Sequence, residues 1–476
     1  MSASPQAAVS SELSALLGAD AVLAGDAGGA RPYLADATES RAIRGRADAV
    51  ALPRDATEVA SVLRWCYEHD VPVVPRGGGT GFAGGAVPLD GGVVVSLERL
   101  AGPAEIDPGH WRAWVPAGAR TADVRRRARE SGLFFAPDPG AAESSMIGGN
   151  IATNAGGPHT FKYGVTGTWV TGLEVALAPG ELVQIGGRAR KDVAGYDLRS
   201  LLIGSEGTLG IVTGAWLKLL PAPEAALPVV GLYRDADAGC DALEAVLASG
   251  VVPAAIEFLD AGALEASLGA LKAVAPALSA GASENINFML IAEADGSLAE
   301  AAADADTLAD TLAEGALAVH APTERREVAE LWRWRDGVSL AVTAQRGGKI
   351  SEDIVVPVER LREAVAATVE IGRRHGLTAC SWGHAGDGNV HATFMIDRDN
   401  PEEVDRAGDA AHDLFELAVA AGGSVSGEHG LGLVKNGMLE LQWPPRALDL
   451  HEQIKRLFDP KGLLNPGKKL ARPATR

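Results

Sequence analysis

The sequence predicts an α+β protein of two domains, and three observations lead to that prediction. The chain has 476 residues, which is long for a single hydrophobic core. In its first half, glycine-rich segments lie beside short apolar runs, a pattern typical of loops at the ends of buried strands. After Pro221-Ala222-Pro223, strands predicted at residues 229–233, 255–259 and 287–292 alternate with amphipathic helices predicted at residues 237–249 and 298–313. This alternation indicates a small antiparallel sheet covered by helices.

The composition is typical of a soluble globular protein, with 47% hydrophobic and 22% charged residues. The formal net charge of −19 argues against nucleic acid or an anionic membrane as the main partner. Cys66, Cys240 and Cys380 are scattered and odd in number, which argues against a disulfide framework. Neither a signal peptide nor an apolar run of the ~18–20 residues of a membrane-spanning helix is found. A cytoplasmic protein is expected, with docking at a membrane surface left open.

The first 44 residues are predicted to form an alanine- and serine-rich N-terminal arm with one short helix near Ser11–Leu17. A helix capped by Asp55 or Thr57 is expected next, because Val59, Val62, Leu63 and Cys66 share one helical face. Strands are then expected at residues 71–75, 92–97, 170–178, 182–185 and 211–219.

The segment from Arg76 to Pro88 contains six glycines, too many for a helix or a packed strand. Glycine permits close backbone approach and positive φ, which turn amide groups toward an anion. The segment is therefore predicted to cradle a pyrophosphate. Gly79, Gly81 and Gly84 match G-x-G-x-x-G, but a Rossmann site needs a helix immediately afterwards, and the following residues cannot start one. An ordinary flexible loop remains the alternative.

Two further blocks of small residues follow. The second comprises Pro137–Gly140 and Ile147–Gly157, and the third runs from Gly204 to Gly210 beside a predicted strand. Small residues with interspersed asparagines suit a surface that lies flat against a planar ligand. The alternative for the second block is tight packing of backbone on backbone.

The last third of the chain holds a cluster of candidate catalytic residues. His384 and His391 flank a glycine turn, and Glu428 and His429 are adjacent in a glycine-flanked loop. Two imidazoles and a carboxylate suit Zn²⁺ or another divalent ion with one coordination position left open, as in catalytic sites. The alternative is that these histidines are hydrogen-bonded structural residues.

Together the segments P-R-G-G-G-T-G, I-G-G-N-x-A-T-N-A-G-G and G-S-E-G-T-L-G resemble the vanillyl-alcohol oxidase/p-cresol methylhydroxylase (PCMH) superfamily. The chain most resembles the branch that holds the flavin-binding subunit of glycolate oxidase, FAD-linked D-lactate dehydrogenase and D-2-hydroxyglutarate dehydrogenase, over about residues 49–470. The resemblance implies a two-subdomain PCMH-type FAD-binding domain (45–222) and an antiparallel-sheet cap domain (223–425), ferredoxin-like or of FAD-linked oxidase C-terminal type. A C-terminal segment (426–476) would complete the active site and return to the flavin.

The resemblance also implies which residues bind FAD. In the first block they are Arg76, Gly77, Gly78, Gly79, Thr80, Gly81, Gly84 and Gly85. In the second they are Pro137, Asp138, Gly148, Gly149, Asn150, Thr153, Asn154 and Gly157. In the third they are Glu206, Gly207, Gly210, Ile211 and Val212, with Asn465 added from the terminal segment. Covalent members carry a flavin-linked histidine in the first block, where this chain has Thr80, so non-covalent FAD is expected.

The catalytic roles follow from the same resemblance. His384, His391 and Glu428 match the metal ligands, His429 matches the catalytic base, and Arg335 and Ser339 match residues that hold the substrate carboxylate. Two positions depart from the family. Ser351 stands where the family has a lysine, and Thr393 stands where it has an asparagine. Lys349, two residues before Ser351, and Thr393 itself are therefore the substrate contacts to consider. The changes favour lactate or glycolate over 2-hydroxyglutarate.

The predicted function is FAD-dependent oxidation of a D-2-hydroxy acid to the 2-oxo acid by hydride transfer to flavin N5. The metal, which we expect to be zinc, would acidify the hydroxyl group that His429 deprotonates. A quinone, a cytochrome, an electron-transfer flavoprotein or O₂ would accept the electrons, and a homodimer or a multi-subunit complex is expected. The alternative is a flavin-binding subunit without independent activity. A non-redox flavin enzyme resembling alkylglycerone-phosphate synthase fits less well, because that branch lacks the G-H-x-G-D-G-N-x-H segment. A zinc hydrolase would have no use for three flavin blocks.

Overall fold

The structure is a computed structural model that describes residues 5–274 and 285–470. The chain divides into two compact units. Unit 1 comprises Met1–Gly156, Val165–Ala222 and Glu428–Arg476, and unit 2 comprises Gly157–Gly164 and Pro223–Gly427. The first four residues of the predicted arm and residues 471–476 of the predicted terminal segment lie outside the described residues.

Unit 1 contains a four-stranded sheet near its N-terminus. Its strands are β1 (Val22–Ala24), β2 (Ala49–Ala51), β3 (Val73–Arg76) and β4 (Val93–Ser96). The order is β1-β2-β4-β3, with β4 parallel to both β2 and β3. The central strands are short apolar runs buried on both faces, as parallel strands require, and β3 delivers the chain into the first glycine-rich block.

A five-stranded antiparallel sheet forms the second part of unit 1. Its strands are β5 (Glu105–Asp107), β6 (Arg112–Pro116), β8 (Val170–Leu177), β9 (Glu181–Gly186) and β10 (Ile211–Lys218), in the order β5-β6-β10-β8-β9. A short pair joins β7 (Leu133–Phe134) to β11 (Leu220–Pro221). The two sheets agree with the two-subdomain arrangement that the sequence predicts.

The helices of unit 1 pack around these sheets. The helix Ala56–Glu68 begins at Asp55, whose side chain accepts a hydrogen bond from the Glu58 amide at 2.8 Å. Its buried face includes Val59, Val62 and Leu63, as the 3.6-residue period predicts. The α-helices of this unit are Pro5–Leu17, Ala56–Glu68, Thr121–Glu130, Ile147–Thr153, Thr166–Trp169, Leu198–Leu202, Leu439–Gln442 and Pro445–Phe458. The 3₁₀ helices are Ala19–Ala21, Gly28–Tyr33, Ala37–Arg41 and Leu97–Arg99.

The predicted N-terminal arm is corrected by the structure. Its helix starts at Pro5 rather than near Ser11, and Leu13 and Leu17 are buried in the same core as the helix Ala56–Glu68. Strand β1 pairs with β2 in antiparallel register. The segment is therefore part of unit 1, and its alanine-rich composition concealed the few larger side chains that anchor it.

Unit 2 is built on one seven-stranded sheet in which every pairing is antiparallel. Its strands are β12 (Ala225–Tyr233), β13 (Ala255–Asp260), β14 (Phe288–Gly296), β15 (Ala318–His320), β16 (Gly348–Val355), β17 (Thr378–His384) and β18 (Asn389–Ile396). The order is β15-β12-β14-β13-β17-β18-β16. The antiparallel sheet was predicted, although seven strands make it larger than expected.

Helices pack against this sheet. The helix Leu298–Ala313 matches its predicted bounds and begins with a capping box formed by Ser297 and Glu300. The α-helices of unit 2 are Thr160–Tyr163, Ala236–Ala248, Ala261–Val274, Leu298–Ala313, Arg325–Arg346, Leu361–Arg374 and Pro401–Ala420, and the 3₁₀ helices are Val358–Arg360 and Ala385–Asp387. In the described parts of the chain, no helix combines the length and the apolar character needed to cross a membrane.

Candidate functional site

One pocket of unit 1 is lined by all three glycine-rich blocks. The loop after β3, the helix Ile147–Thr153 and the turn before β10 each contribute to its wall. The lining residues are Asp36, Pro75, Arg76, Gly77, Gly78, Gly79, Thr80, Gly81, Ala83, Gly85, Ala86, Leu97, Ser145, Met146, Gly148, Gly149, Asn150, Ala152, Thr153, Ser205, Glu206, Gly207, Gly210, Ile211, Val212 and His429. Segments far apart in sequence thus meet around one cavity whose walls are largely backbone.

The first and second blocks pack against each other through their backbones. A Cβ atom added to Gly78 would lie 2.3 Å from the carbonyl oxygen of Ser144, and one added to Gly77 would lie 3.2 Å from Cα of Gly149. Larger residues are excluded by this approach. The backbone-packing interpretation and the ligand-cradle interpretation are therefore both compatible with the same contacts.

The helix Ile147–Thr153 was not predicted. Its hydrogen bonds form although it contains two glycines, because tertiary contacts fix it: the Asn150 side chain donates to Thr121 Oγ1 at 2.7 Å. The helix ends at Asn154, whose φ is +53°, and the Asn154 side chain accepts from the Gly167 amide at 2.8 Å. Asn154 is therefore a helix-terminating residue outside the pocket wall.

Glu206 holds the loop that carries His429. Its carboxylate accepts hydrogen bonds from the amides of Leu431 at 2.9 Å and Gly432 at 2.7 Å. Its own amide donates to the carbonyl of Ala152 at 2.7 Å. His429 lines the same pocket, and its ring centroid lies 4.8 Å from that of Phe82. Glu206 thus connects the third block to the second block and to the histidine loop.

In unit 2, polar side chains collect on one face of the seven-stranded sheet. His384 ends β17 and His391 lies in β18, and their ring centroids are 5.3 Å apart in a nearly perpendicular arrangement. Glu428 follows directly on Gly427, the last residue of unit 2. His384 and His391 can each offer one ring nitrogen to a metal ion, and Glu428 is the third member of the predicted ligand set. This donor set fits a divalent metal ion such as Zn²⁺.

Asp353 fixes the chain just before Glu428. It is completely buried, and its Oδ2 accepts hydrogen bonds from the Ser426 hydroxyl at 2.9 Å and the Gly427 amide at 2.8 Å. Its Oδ1 accepts from the Asn389 side chain at 2.6 Å. Three donors compensate the burial of this carboxylate, and the result is a defined path for the backbone that leads into Glu428.

Glu257 connects His384 to Arg335. It lies in β13 opposite His384 and is completely buried. Its Oε1 lies 2.5 Å from His384 Nδ1, and its Oε2 forms an ion pair with the Arg335 guanidinium. Burial by itself would raise the pKa of Glu257, but Arg335 and His384 outweigh it and lower that pKa to about 2. Within the described ranges, the buried Nε of Arg335 has no hydrogen-bond partner.

Among the other predicted substrate residues, Lys349 and Thr393 lie on neighbouring strands of unit 2 and Ser339 lies in the helix Arg325–Arg346. The Lys349 ammonium donates to the backbone carbonyl of Ser339 at 2.9 Å and to its hydroxyl group, and it lies 4.9 Å from the ring centroid of Trp382. Burial lowers the pKa of Lys349 to about 8. Ser351 and Thr393 are directly opposite in the β16–β18 pair and share a hydrogen bond of 2.8 Å. The two residues that depart from the family pattern are thus hydrogen-bonded to each other.

Family comparisons account for nearly the whole chain. Residues 47–186 match the FAD binding domain family, and residues 222–469 match the family of FAD linked oxidases, C-terminal domain. The chain belongs to the FAD-linked oxidases. It is therefore an FAD-linked oxidoreductase, and the resemblance found from the three glycine-rich blocks is confirmed.

Other FAD-linked oxidases are similar over most of their length. Glycolate oxidase subunit GlcD of Bacillus subtilis is 38% identical over 428 residues, which cover 90% of each chain. D-lactate dehydrogenase of Archaeoglobus fulgidus is 34% identical over 421 residues, 88% of this chain and 90% of that protein.

Two solved structures share the fold. 4-Ethylphenol oxidase from Gulosibacter chungangensis has a TM-score of 0.81 at 19% identity and covers 99% of this chain and 98% of its own. p-Cresol methylhydroxylase has a TM-score of 0.80 at 19% identity, covering 98% and 96%. At this identity the likeness concerns the fold, and the predicted PCMH-type architecture is confirmed.

Six residues predicted to contact FAD do not line the pocket of this FAD-linked oxidase. They are Gly84, Pro137, Asp138, Asn154, Gly157 and Asn465. Asn465 is buried, and its side-chain amide donates to the carbonyls of Gly85 at 2.9 Å and Glu206 at 2.8 Å. Asn465 links the first and third blocks, because both N–H groups of its side-chain amide donate to backbone carbonyls of these blocks. The terminal segment returns to the cradle, but Asn465 braces it rather than forming its wall.

Sequence reasoning missed several residues. Asp36, Ser145, Met146, Ala152 and Ser205 line the pocket. Ala152 and Ser205 lie within the second and third blocks, and Ser145 and Met146 directly precede the helix of the second block. Asp36 comes from the segment interpreted as an arm. Arg76 holds that segment beside the first block, because its guanidinium donates hydrogen bonds to the carbonyls of Ala35 at 2.7 Å and Pro32 at 3.0 Å.

We expect FAD to be bound without a covalent link. Thr80 lines the pocket in the block where covalent members carry histidine, and residues 76–88 contain no histidine. Precipitating the protein with acid should release essentially all of the flavin into the supernatant, where its absorbance and fluorescence measure it. A washed pellet that retains the yellow colour would contradict this expectation.

Proposed function

We propose that this FAD-linked oxidase converts a short D-2-hydroxy acid, D-lactate or glycolate, into the 2-oxo acid. The observation that carries the proposal is a continuity of sequence. Glu428 is the third proposed ligand beside His384 and His391, a set that we name the metal-capable cluster, and the next residue, His429, lines the pocket formed by the flavin blocks. A metal ligand and a proton acceptor are thus adjacent in one loop.

The oxidation removes a proton from the hydroxyl group and a hydride from C2 of the substrate. Bound FAD would supply the two-electron acceptor, and a divalent metal held by His384, His391 and Glu428 would supply a Lewis acid for the substrate oxygens. His429 accepts the hydroxyl proton as general base. Arg335 holds the carboxylate. Its buried Nε–H group supports this role, because it has no hydrogen-bond partner among the described residues.

Two contacts in unit 2 favour a monocarboxylate over a dicarboxylate. The hydroxyl groups of Ser351 and Thr393 bond to each other, where the dicarboxylate-specific pattern has a lysine and an asparagine. The Lys349 ammonium donates to the backbone carbonyl and the hydroxyl group of Ser339, so two of its three hydrogen-bond donors are already used. A second carboxylate would therefore find few unused donors here.

The decisive experiment is anaerobic reduction of the bound flavin. D- and L-lactate, glycolate and D-2-hydroxyglutarate are each added in molar excess to the purified protein, with and without a chelator. We expect D-lactate or glycolate to bleach the flavin band and chelation to prevent the bleaching. Readmitted air then distinguishes an oxidase from a dehydrogenase. A flavin that none of these acids reduces would contradict the proposal.

A role as a subunit within a complex is the second candidate. Relatives that are 38% and 33% identical are named as glycolate oxidase subunits. The proposed metal ligands are all present in this chain, which supports a subunit with its own half-reaction rather than a passive flavin carrier. Flavin bleaching without reoxidation by air would favour electron transfer to a partner protein or a quinone.

A further inference from the structure

A single carboxylate is shared by the proposed metal cluster and the proposed carboxylate clamp. Glu257 is completely buried in the interior of the seven-stranded sheet, between β14 and β17. One of its oxygens contacts His384 Nδ1 and the other contacts Arg335. No motif or family pattern considered above includes this residue.

The contact with Glu257 selects the nitrogen that His384 can offer to a metal. An ionised carboxylate can only accept hydrogen bonds, so Nδ1 of His384 carries the hydrogen and donates it to Oε1 at 2.5 Å. The lone pair that remains for coordination is then on Nε2. Histidines that ligate metals commonly donate their second nitrogen to a carboxylate, which fixes ring orientation and increases basicity.

The same carboxylate sets the position of Arg335. Removing Glu257 would leave the buried guanidinium without its counter-charge, and such a group moves toward water or another acceptor. We propose that Glu257 is a positioning residue that orients His384 toward the metal and Arg335 toward the substrate carboxylate. This inference rests on the proposed function, since it assumes that the cluster holds a metal ion.

Unit 2 offers a matched control in Glu293. This carboxylate is also buried and also has two side-chain partners, His159 Nε2 at 2.9 Å and Trp332 Nε1 at 2.7 Å. Glu293 lies in β14 opposite Ala255, which is two residues before Glu257 in β13. Because residues two apart in a strand face the same way, the two carboxylates are on the same face of the sheet. Neither of its partners belongs to the metal-capable cluster, so it tests the effect of a buried carboxylate as such.

The experiment measures the affinity of the full-length FAD-loaded protein for Zn²⁺ by competition with a chromophoric chelator. We expect Glu257→Gln to weaken Zn²⁺ binding by about 10- to 100-fold, and Glu293→Gln to leave it within about threefold. Both variants should keep FAD, whose pocket lies in unit 1. In Co²⁺-loaded protein, Glu257→Gln should also shift the visible d–d bands, which a purely structural role would leave unchanged.

Two failures can be told apart. A wild-type protein that binds no divalent metal would overturn the proposed metal chemistry and this inference with it. Wild-type binding with unchanged affinity in Glu257→Gln would overturn only the inference. If the variant does not fold, nitrogen NMR of wild-type Zn²⁺ protein decides, because His384 should show a protonated Nδ1 and a metal-bound Nε2. The opposite tautomer would refute the proposal.

Discussion

Replacing His429 with alanine is expected to lower kcat by about 10²- to 10⁴-fold while the protein remains yellow with bound FAD. A positioned general base contributes a factor of that size, and alanine has no group that can accept the hydroxyl proton. FAD should remain because most of the pocket wall is formed by the glycine-rich blocks. The loop itself should keep its path, since Glu206 holds the amides of Leu431 and Gly432. Stopped-flow reduction of the flavin by D-lactate or glycolate measures the effect.

His110→Ala is the matched control for this variant. His110 is exposed at the surface of unit 1 and contacts Asp107, outside the pocket wall. It should reduce flavin at the wild-type rate. Near wild-type flavin reduction in His429→Ala would remove the base from the proposed mechanism and leave the FAD site untouched.

Local patterns predicted the parts of the fold that depend on local chemistry. The helix Leu298–Ala313 was predicted with correct bounds because its capping residues and apolar period both lie within the segment. The glycine-rich loop after β3 was recognised from its six glycines. The structure shows why glycine is needed at one of them, because a Cβ atom added to Gly78 would lie 2.3 Å from a carbonyl oxygen. Both features depend on residues that are close together in the sequence.

The parts that the sequence concealed depend on contacts between distant segments. Glu257 is an isolated acid in an apolar strand, and its partner His384 lies 127 residues away, so no spacing could reveal the pair. The helix Ile147–Thr153 contains two glycines, whose intrinsic preference opposes helix formation. Its stabilising contact, Asn150 with Thr121, is likewise tertiary. Glu206 was predicted near the flavin, but its hold on the histidine loop was not.

Asn465 illustrates what a sequence motif leaves open about a single residue. The segment around it resembles the terminal segment that returns to the flavin, and it does reach the blocks of the pocket. Both donors of its side-chain amide bond to backbone carbonyls, those of Gly85 and Glu206. A sequence motif gives the position of such a residue, whereas the hydrogen-bond partners that determine its role are visible only in three dimensions.

Replacing His391 with alanine should abolish both metal binding and turnover and leave FAD in place. His391 is one of the three proposed metal ligands, and two remaining ligands bind a divalent ion weakly. A metal that polarises the substrate oxygens contributes several kcal/mol, and about 4 kcal/mol corresponds to about 10³-fold in rate. Metal analysis of the purified variant and anaerobic flavin reduction provide the two measurements.

Treating the wild-type protein with a chelator distinguishes the contribution of the metal to activity from that of the side chain that binds it. Activity lost to a chelator should return when Zn²⁺ is added to wild-type protein, and the same addition should leave His391→Ala inactive. His375→Ala is the control within unit 2, because that histidine contacts Asp413 at 2.9 Å and is outside the metal-capable cluster. Full turnover in metal-free wild-type protein would show that the cluster serves structure alone. His429 would then have to deprotonate an unactivated alcohol, for which a neutral imidazole is a poor base.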